Sequence, residues 1–355
     1  MGKRVLVTGA GSGASNNLIR SLRAGDPSLW VGGCHTDRFV LKASTADSNF
    51  LVLASDRPGF AAAVKRLVAT EGIDLVIPNN DADVRTIGAA GGPIGRHLFL
   101  PRQAVIERCQ DKYRLAAFLR ARDIPAPLTH PVSDPAAIGA VFRRFPRGSR
   151  LWCRLRTGNG AIGAVPVRTP AQARSWIRCW EEVRAVPARA FALSEYLPGR
   201  DFACQSLWKD GRLVLAKTWE RLSYFGRGNQ PTLVSSIAAL AKTVREPRVT
   251  EVCAAAIRAL DPRVSGAFTV DLKEDAAGTP RITEINAGRL SSGTNLLDLT
   301  GKHNMAATYV RLGLDEPVEL RDEDDAGEDH YLLRDLDSVP ALFHADELFE
   351  GIQEV

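Results

Sequence analysis

The chain has 355 residues, a formal net charge of +5, and 45% hydrophobic against 25% charged residues, which suits about two or three soluble domains with ample core. The basic residues are dispersed, which argues against a nucleic-acid partner, and no apolar run approaches membrane-spanning length. The six cysteines, at 34, 109, 153, 179, 204 and 253, form no CxxC pair and have no His at ligand spacing. They read as reduced thiols, and the opening MGKRVLVTGAG reads as a strand and a turn rather than a signal peptide, so a cytoplasmic location is expected.

RVLVT at 4–8 is a continuous apolar run, as in a buried parallel strand, and GAGSGAS leads into an amphipathic helix with Leu18, Ile19 and Leu22 on one face. Further strands are predicted near Trp30–Cys34, at 74–78 and at 97–101, with a helix over AAAVKRLVATEG. The alternation predicts a doubly wound α/β unit over 1–104. A helix is predicted over 105–122, stopped by the prolines of DIPAPLTH. A small subdomain then runs to 193, with LWCRL as a strand and RTGNGAIGA as a loop. Over 194–315 strands are predicted at SEYL, DFACQSLW, RLVLAKTW, GAFTVDLK and RITEIN, with Asp210-Gly211 as a hairpin turn and KEDAAGTPRI as a second, longer hairpin. The acidic extension 316–355 reads as a solvated linker whose last stretch, SVPALFHADELFEGI, docks back as a short helix.

Chemistry concentrates in three places. Gly9, Gly11 and Gly13 follow the first strand but fall short of a full GxGxxG; with Asp37 as a ribose ligand they would suit a dinucleotide, and otherwise they form a tight strand–helix corner. Gly158, Gly160 and Gly163 lie in a loop after the strand carrying Arg154, where backbone amides meet phosphate oxygens at little steric cost and the guanidinium adds a fixed cation. Glu284 and Asn286, two apart on one strand, share a face, and Asp271 on the preceding antiparallel strand can oppose them. Three hard oxygen donors in that arrangement suit Mg²⁺ bridging phosphates. Lys112 adds a further cation, and SEYLPGRD, with Glu195 and Asp201, reads as a purine hinge. The set predicts an enzyme that spends ATP.

In order, the DK at 111–112, the Gly loop, the E-Y-hydrophobic-P-G hinge and the D…EIN set resemble the ATP-grasp superfamily over residues 1–312, in particular the branch of the carbamoyl phosphate synthetase large subunit and biotin carboxylase. The resemblance implies an N-terminal Rossmann-like (pre-ATP-grasp) domain at 1–104, a linker helix and lid at 105–193, and a second ATP-grasp subdomain with the metal site at 194–315. It implies that Lys112 and Arg154 contact ATP phosphates and that Gly158, Gly160 and Gly163 form a mobile lid. Glu195, Tyr196 and Leu197 would line the adenine and Asp201 would hold the ribose. Asp271, Glu284 and Asn286 would bind Mg²⁺, with Mn²⁺ as a substitute ion, and Arg289 would face the transferring phosphoryl group or the substrate. Lys217, Arg221 and Arg227 lie in a stretch that in related enzymes faces the acceptor or the phosphates. Two departures stand out: Arg154 occupies a place where most members have Lys, and the usual N-P-R reads Asn286-Ala287-Gly288-Arg289, one residue longer.

The expected reaction joins a small-molecule carboxylate to an amine through an acyl phosphate, with neither nucleic acid nor membrane as partner and with a homodimer as a compatible assembly. Two alternatives stay open: an NAD(P)-dependent oxidoreductase using the first Gly cluster, and a non-catalytic ATP-binding regulator.

Overall fold

A computed structural model describes residues 2–158, 160–226, 235–321, 323–325, 327–334 and 350–354. Arg227 and most of SVPALFHADELFEGI lie outside the described residues. The fold is mixed α/β, as expected, with one parallel sheet and two that are antiparallel except for one short parallel pair in the larger.

The parallel sheet begins with β1 (Arg4–Thr8), β2 (Trp30–His35), β3 (Ser48–Leu51) and β4 (Leu75–Ile77). Helices α1 (Gly13–Gly25), α2 (Arg38–Leu41), α3 (Phe60–Thr70) and α4 (Asp81–Ala90) connect or follow these strands. The strand predicted at 97–101 is reduced to one bridge between Val76 and Leu98. A 3₁₀ turn occupies Gly92–His97 immediately before it, and Pro101 has no N–H to extend the pairing.

The helix predicted over 105–122 is two helices, α5 (Gln103–Gln110) and α6 (Lys112–Arg120). Asp111 breaks them. Its backbone is extended and its carboxylate accepts from Tyr113 N and Arg114 N, so it caps the second helix.

The small antiparallel sheet holds β5 (Thr129–Pro131), β6 (Leu151–Leu155), β7 (Val165–Val167) and β8 (Phe191–Glu195) in the order β5-β8-β6-β7. Helices α7 (Ile138–Phe142) and α8 (Pro170–Arg184) cover it. Its core of Leu151, Cys153, Ile177, Phe191 and Leu193 is its own.

The large sheet contains β9 (Asp201–Lys209), β10 (Arg212–Tyr224), β11 (Ala238–Thr243), β12 (Gly266–Glu274) and β13 (Pro280–Ala287). Both predicted hairpins are present. Asp210 and Gly211 have φ of 51° and 81°, the left-handed pair that a tight two-residue turn requires. Alternation splits the sheet's two faces. Phe202, Cys204, Phe268 and Val270 pack on α5, α6 and α9 (Pro247–Leu260). Leu207, Leu215 and Ala267, on the other face, share a core with Val5, Val7 and Leu18 of the parallel unit and with Met305 and Tyr309 of α11 (Met305–Gly313), which follows the short α10 (Thr294–Leu297).

The acidic extension is not a solvated linker in its described part. The strands β14 (Glu323–Asp324) and β15 (Tyr331–Leu333) join the large sheet. Asp325 is buried and accepts the backbone N–H groups of Lys302 and His303. The described end Ile352–Glu354 is a strand, β16, pairing in parallel with β3 at the sheet edge, and the expected docking helix lies almost wholly outside the described residues.

Candidate functional site

A cleft of about 470 Å³ opens between the small sheet and the large one, within the range usual for small-molecule sites. One wall starts with Arg154. It sits on β6 and is 9% exposed; one terminal nitrogen donates to the Thr283 carbonyl at 3.0 Å. Its Nε has no partner and is fully shielded. Burial pushes the guanidinium below its ordinary pKa, and the carboxylates of Glu284 and Asp271 pull it back up. A buried cation with an unsatisfied donor is costly unless something accepts from it.

The loop after β6 has positive φ at Gly158, Gly160 and Gly163 (106°, 71°, 73°) and at Ala161 (57°). These conformations favour glycine and leave backbone at the cleft wall. Lys112 is held under this loop. Its N–H donates to the Arg156 carbonyl at 2.8 Å, and its Nζ donates to the Gly158 carbonyl. The same Nζ lies 3.4 Å from Glu284.

The opposite wall is the large sheet. Asp271 stands directly opposite Glu284 in the β12–β13 register, and Thr269 opposite Asn286. Asn286 donates to Asp271 at 3.2 Å. Each oxygen donor carries a cation or amide. Arg221 binds Asp271 and also Asp201 at 3.1 Å, and Arg289 donates to the Asn286 carbonyl oxygen at 2.6 Å. Burial alone would lower the Arg221 pKa, but Asp271 and Asp201 outweigh it and hold the guanidinium well above its usual value. Two carboxylates and an amide oxygen meeting at adjacent strand positions fit a hard divalent cation such as Mg²⁺.

The hinge residues also reach the cleft. Glu195, at the end of β8, accepts from Leu128 N at 2.7 Å. Tyr196 lies beside Trp152 and under the Arg150 guanidinium, whose carbon is 4.2 Å from the ring centroid. Leu197 lines the same end. Asp201 is engaged by Arg221, by the Tyr224 hydroxyl and, at 3.5 Å, by Lys273.

Lys217 is not brought to the cleft. It shares a sheet face with Arg221, yet its ammonium donates to the carbonyls of Leu297 and Thr300, each at 3.0 Å, and pairs with Asp298 at 3.3 Å and Asp325 at 3.6 Å. Its fully buried position is a structural node, not a substrate contact.

The N-terminal glycines have local explanations. A Cβ on Gly11 would lie 1.8 Å from the Val40 carbonyl oxygen, and Asp37 caps α2 by accepting from Phe39 N and Val40 N. Asp37 is therefore spent on the backbone rather than on a ribose.

The sequence reading missed Thr269 and Lys273, both in the cleft. Period-2 counting outward from Asp271 finds them, since 269, 271 and 273 share a face. Asp81, which pairs with Arg289 from the parallel unit, carried no such signal.

No family model matches the sequence, and no curated protein does. Solved structures do. The L-amino acid ligase from Bacillus licheniformis superposes with a TM-score of 0.66 at 13% identity, over 88% of this chain and 74% of that one. The biotin carboxylase domain dimer of the Hydrogenobacter thermophilus 2-oxoglutarate carboxylase, in complex with MgADP, ADP and bicarbonate, gives 0.71 at 14%, over 93% and 73%. A carboxyaminoimidazole ribonucleotide synthase from Aspergillus clavatus, complexed with ATP, gives 0.66 at 17%, over 90% and 78%. At these identities the likeness is one of fold.

Proposed function

Since the chain has the fold of the ATP-grasp ligases, we propose that it is an ATP-dependent carboxylate–amine ligase. The observation that carries this reading is the buried Arg154, whose Nε lacks a partner, set across the cleft from paired Asp271 and Glu284. Cations and hard oxygens converging on one cleft are what a magnesium-bound triphosphate needs.

In this reading the division is a parallel unit at 1–104, a linker helix and lid at 105–193, and a metal-bearing subdomain at 194–315. Arg154 and Lys112 take phosphate oxygens, and the loop through Gly158, Gly160 and Gly163 closes over them. Tyr196 and Leu197 flank the adenine, and Glu195 shapes that end by holding Leu128. Asp201 meets the ribose once Arg221 moves onto a phosphate. Asp271, Glu284 and Asn286 would hold Mg²⁺, which would supply positive charge to offset that of the phosphates. Arg289 faces the transferring phosphoryl group.

The chemistry asks for positioning more than for a nucleophilic side chain. The substrate carboxylate oxygen attacks the γ-phosphorus and ADP leaves. The amine nitrogen then attacks the acyl carbon, phosphate leaves with the C–O bond electrons, and the amine gives up a proton. Closure of the glycine loop keeps water from the acyl phosphate. The guanidinium of Arg154, already held by the Thr283 carbonyl, stabilises the charge that develops with little reorganisation.

The test is Mg²⁺-dependent ADP release against panels of carboxylates and amines. Release that requires both partners supports the ligase. ATP binding with no turnover on any pair favours a nucleotide-binding regulator instead.

A further inference from the structure

A second crevice, of about 210 Å³, lies at the carboxyl ends of β1, β2 and β4, where ligands of open parallel sheets bind. Its volume admits roughly seven water-sized groups. Its chemistry differs from that of the main cleft. Among the described residues no Lys or Arg lines it, and the carboxylate there is that of Asp83, 8% exposed. Asn80 donates to that carboxylate and accepts from Asp83 N at 2.9 Å, fixing it in place. His35 also lines the crevice. Burial holds its imidazole below the usual pKa, against the pull of Asp37 and Asp83. Its Nδ1 accepts the Asp37 N–H at 2.8 Å, and a backbone N–H can only donate, so Nε2 carries the proton. Phe60, Val52 and Ala54 supply an apolar wall.

The described lining disfavours an anion, because a buried carboxylate with no Lys or Arg beside it among the described residues repels one. A phosphate on the Gly9 turn is disfavoured for the same reason. What fits is a small molecule with an ammonium for Asp83, an acceptor for His35 Nε2–H and a short apolar body. Two residues before Asp83, Asp81 holds Arg289, which lines the main cleft.

We propose that this crevice is a second binding site, for a small amphipathic amine recognised by Asp83.

The test uses the full chain and three probes with one apolar body: butylamine, 1-butanol and butyrate. Binding is followed by saturation-transfer NMR, with MgATP titrated separately by calorimetry. Butylamine is expected to bind saturably at millimolar concentration, and butyrate not at all. Asp83→Asn, which keeps the Asn80 contacts, and Ala54→Leu, which fills the crevice, should each weaken butylamine by about tenfold or more. Both should leave MgATP affinity unchanged. Butyrate binding as well as butylamine, or butylamine affinity unchanged in both variants, overturns the proposal. So does the absence of butylamine binding while MgATP binds, which leaves the ligase reading standing. Butylamine binding that depends on Asp83, with no MgATP binding, removes the ligase reading and keeps the site.

Discussion

The Lys112 ammonium meets two elements at once. It donates to the Gly158 carbonyl in the glycine loop and lies 3.4 Å from the Glu284 carboxylate on the facing sheet. One side chain thus registers the glycine loop against the strand proposed to hold metal, so changes at Glu284 are expected to act on both.

Glu284→Gln is expected to abolish turnover and leave the fold intact. It keeps the shape, but it removes a negative ligand and the partner of Lys112. Asn286→Ala should cost less, since a neutral ligand is lost. Near-normal rates in Glu284→Gln at ordinary Mg²⁺ sink the metal assignment; circular dichroism verifies the fold.

Arg154→Ala should lower the rate by about 10²-fold or more, the usual cost of one preorganised charge donor. Arg154→Lys should keep partial activity. It restores the charge, while the bond to the Thr283 carbonyl and the planar donor set are lost. Steady-state kinetics with equilibrium ATP binding for both variants decides; an unaffected alanine variant takes phosphate binding away from this residue.

Gly160→Val tests closure of the loop. A Cβ there meets nothing nearer than Ile162 at 3.7 Å, so the obstacle is the φ of 71°, not lack of room. A β-branched residue in that region costs about 1–2 kcal/mol, which should displace the loop. Turnover is expected to fall more than ATP affinity. Equal losses in both would place the loop in ground-state binding instead.

Lys217→Ala is expected to act on stability rather than on binding. Removing the ammonium leaves Asp298 and Asp325 buried together, both under 5% exposed, at a cost of about 3–5 kcal/mol. A lower melting temperature with unchanged ATP affinity fits its placement. A stable variant that loses activity would return Lys217 to the catalytic set.

NAD(P) should not bind measurably. Asp37 is committed to the α2 backbone, and Gly11 is required by the approach of Val40. Calorimetric titration with NADPH is the check, and tight binding would move the active site into the parallel unit.

The cleft was legible where chemistry rides on strand periodicity. Glu284 and Asn286 had to share a face, and a hairpin brought Asp271 opposite. The Asp210-Gly211 turn was legible because left-handed φ values restrict residue choice so strongly. Lys217 was misplaced for a tertiary reason. Its face follows from alternation, but its cover comes from α10 and from Asp325, far along the chain. The strands of the acidic extension were hidden likewise, since a two- or three-residue strand depends on the partner edge rather than on its own pattern. The break at Asp111 was written locally, as an Asp before the first turn of a helix, but the run of good helix formers around it masked the cap.

The separate core under the small sheet has a consequence for cooperativity. The parallel unit and the large sheet share buried residues, from Val5 and Leu18 to Leu207 and Ala267, whereas Leu151, Ile177, Phe191 and Leu193 pack among themselves. The first two should open to solvent only together, and the lid should open alone at lower free energy. In hydrogen exchange, amides of Phe191 and Leu193 would then report nucleotide capture as a gain in protection, while those of Val5 and Val7, already limited by global unfolding, would rise only with the stability of the whole chain.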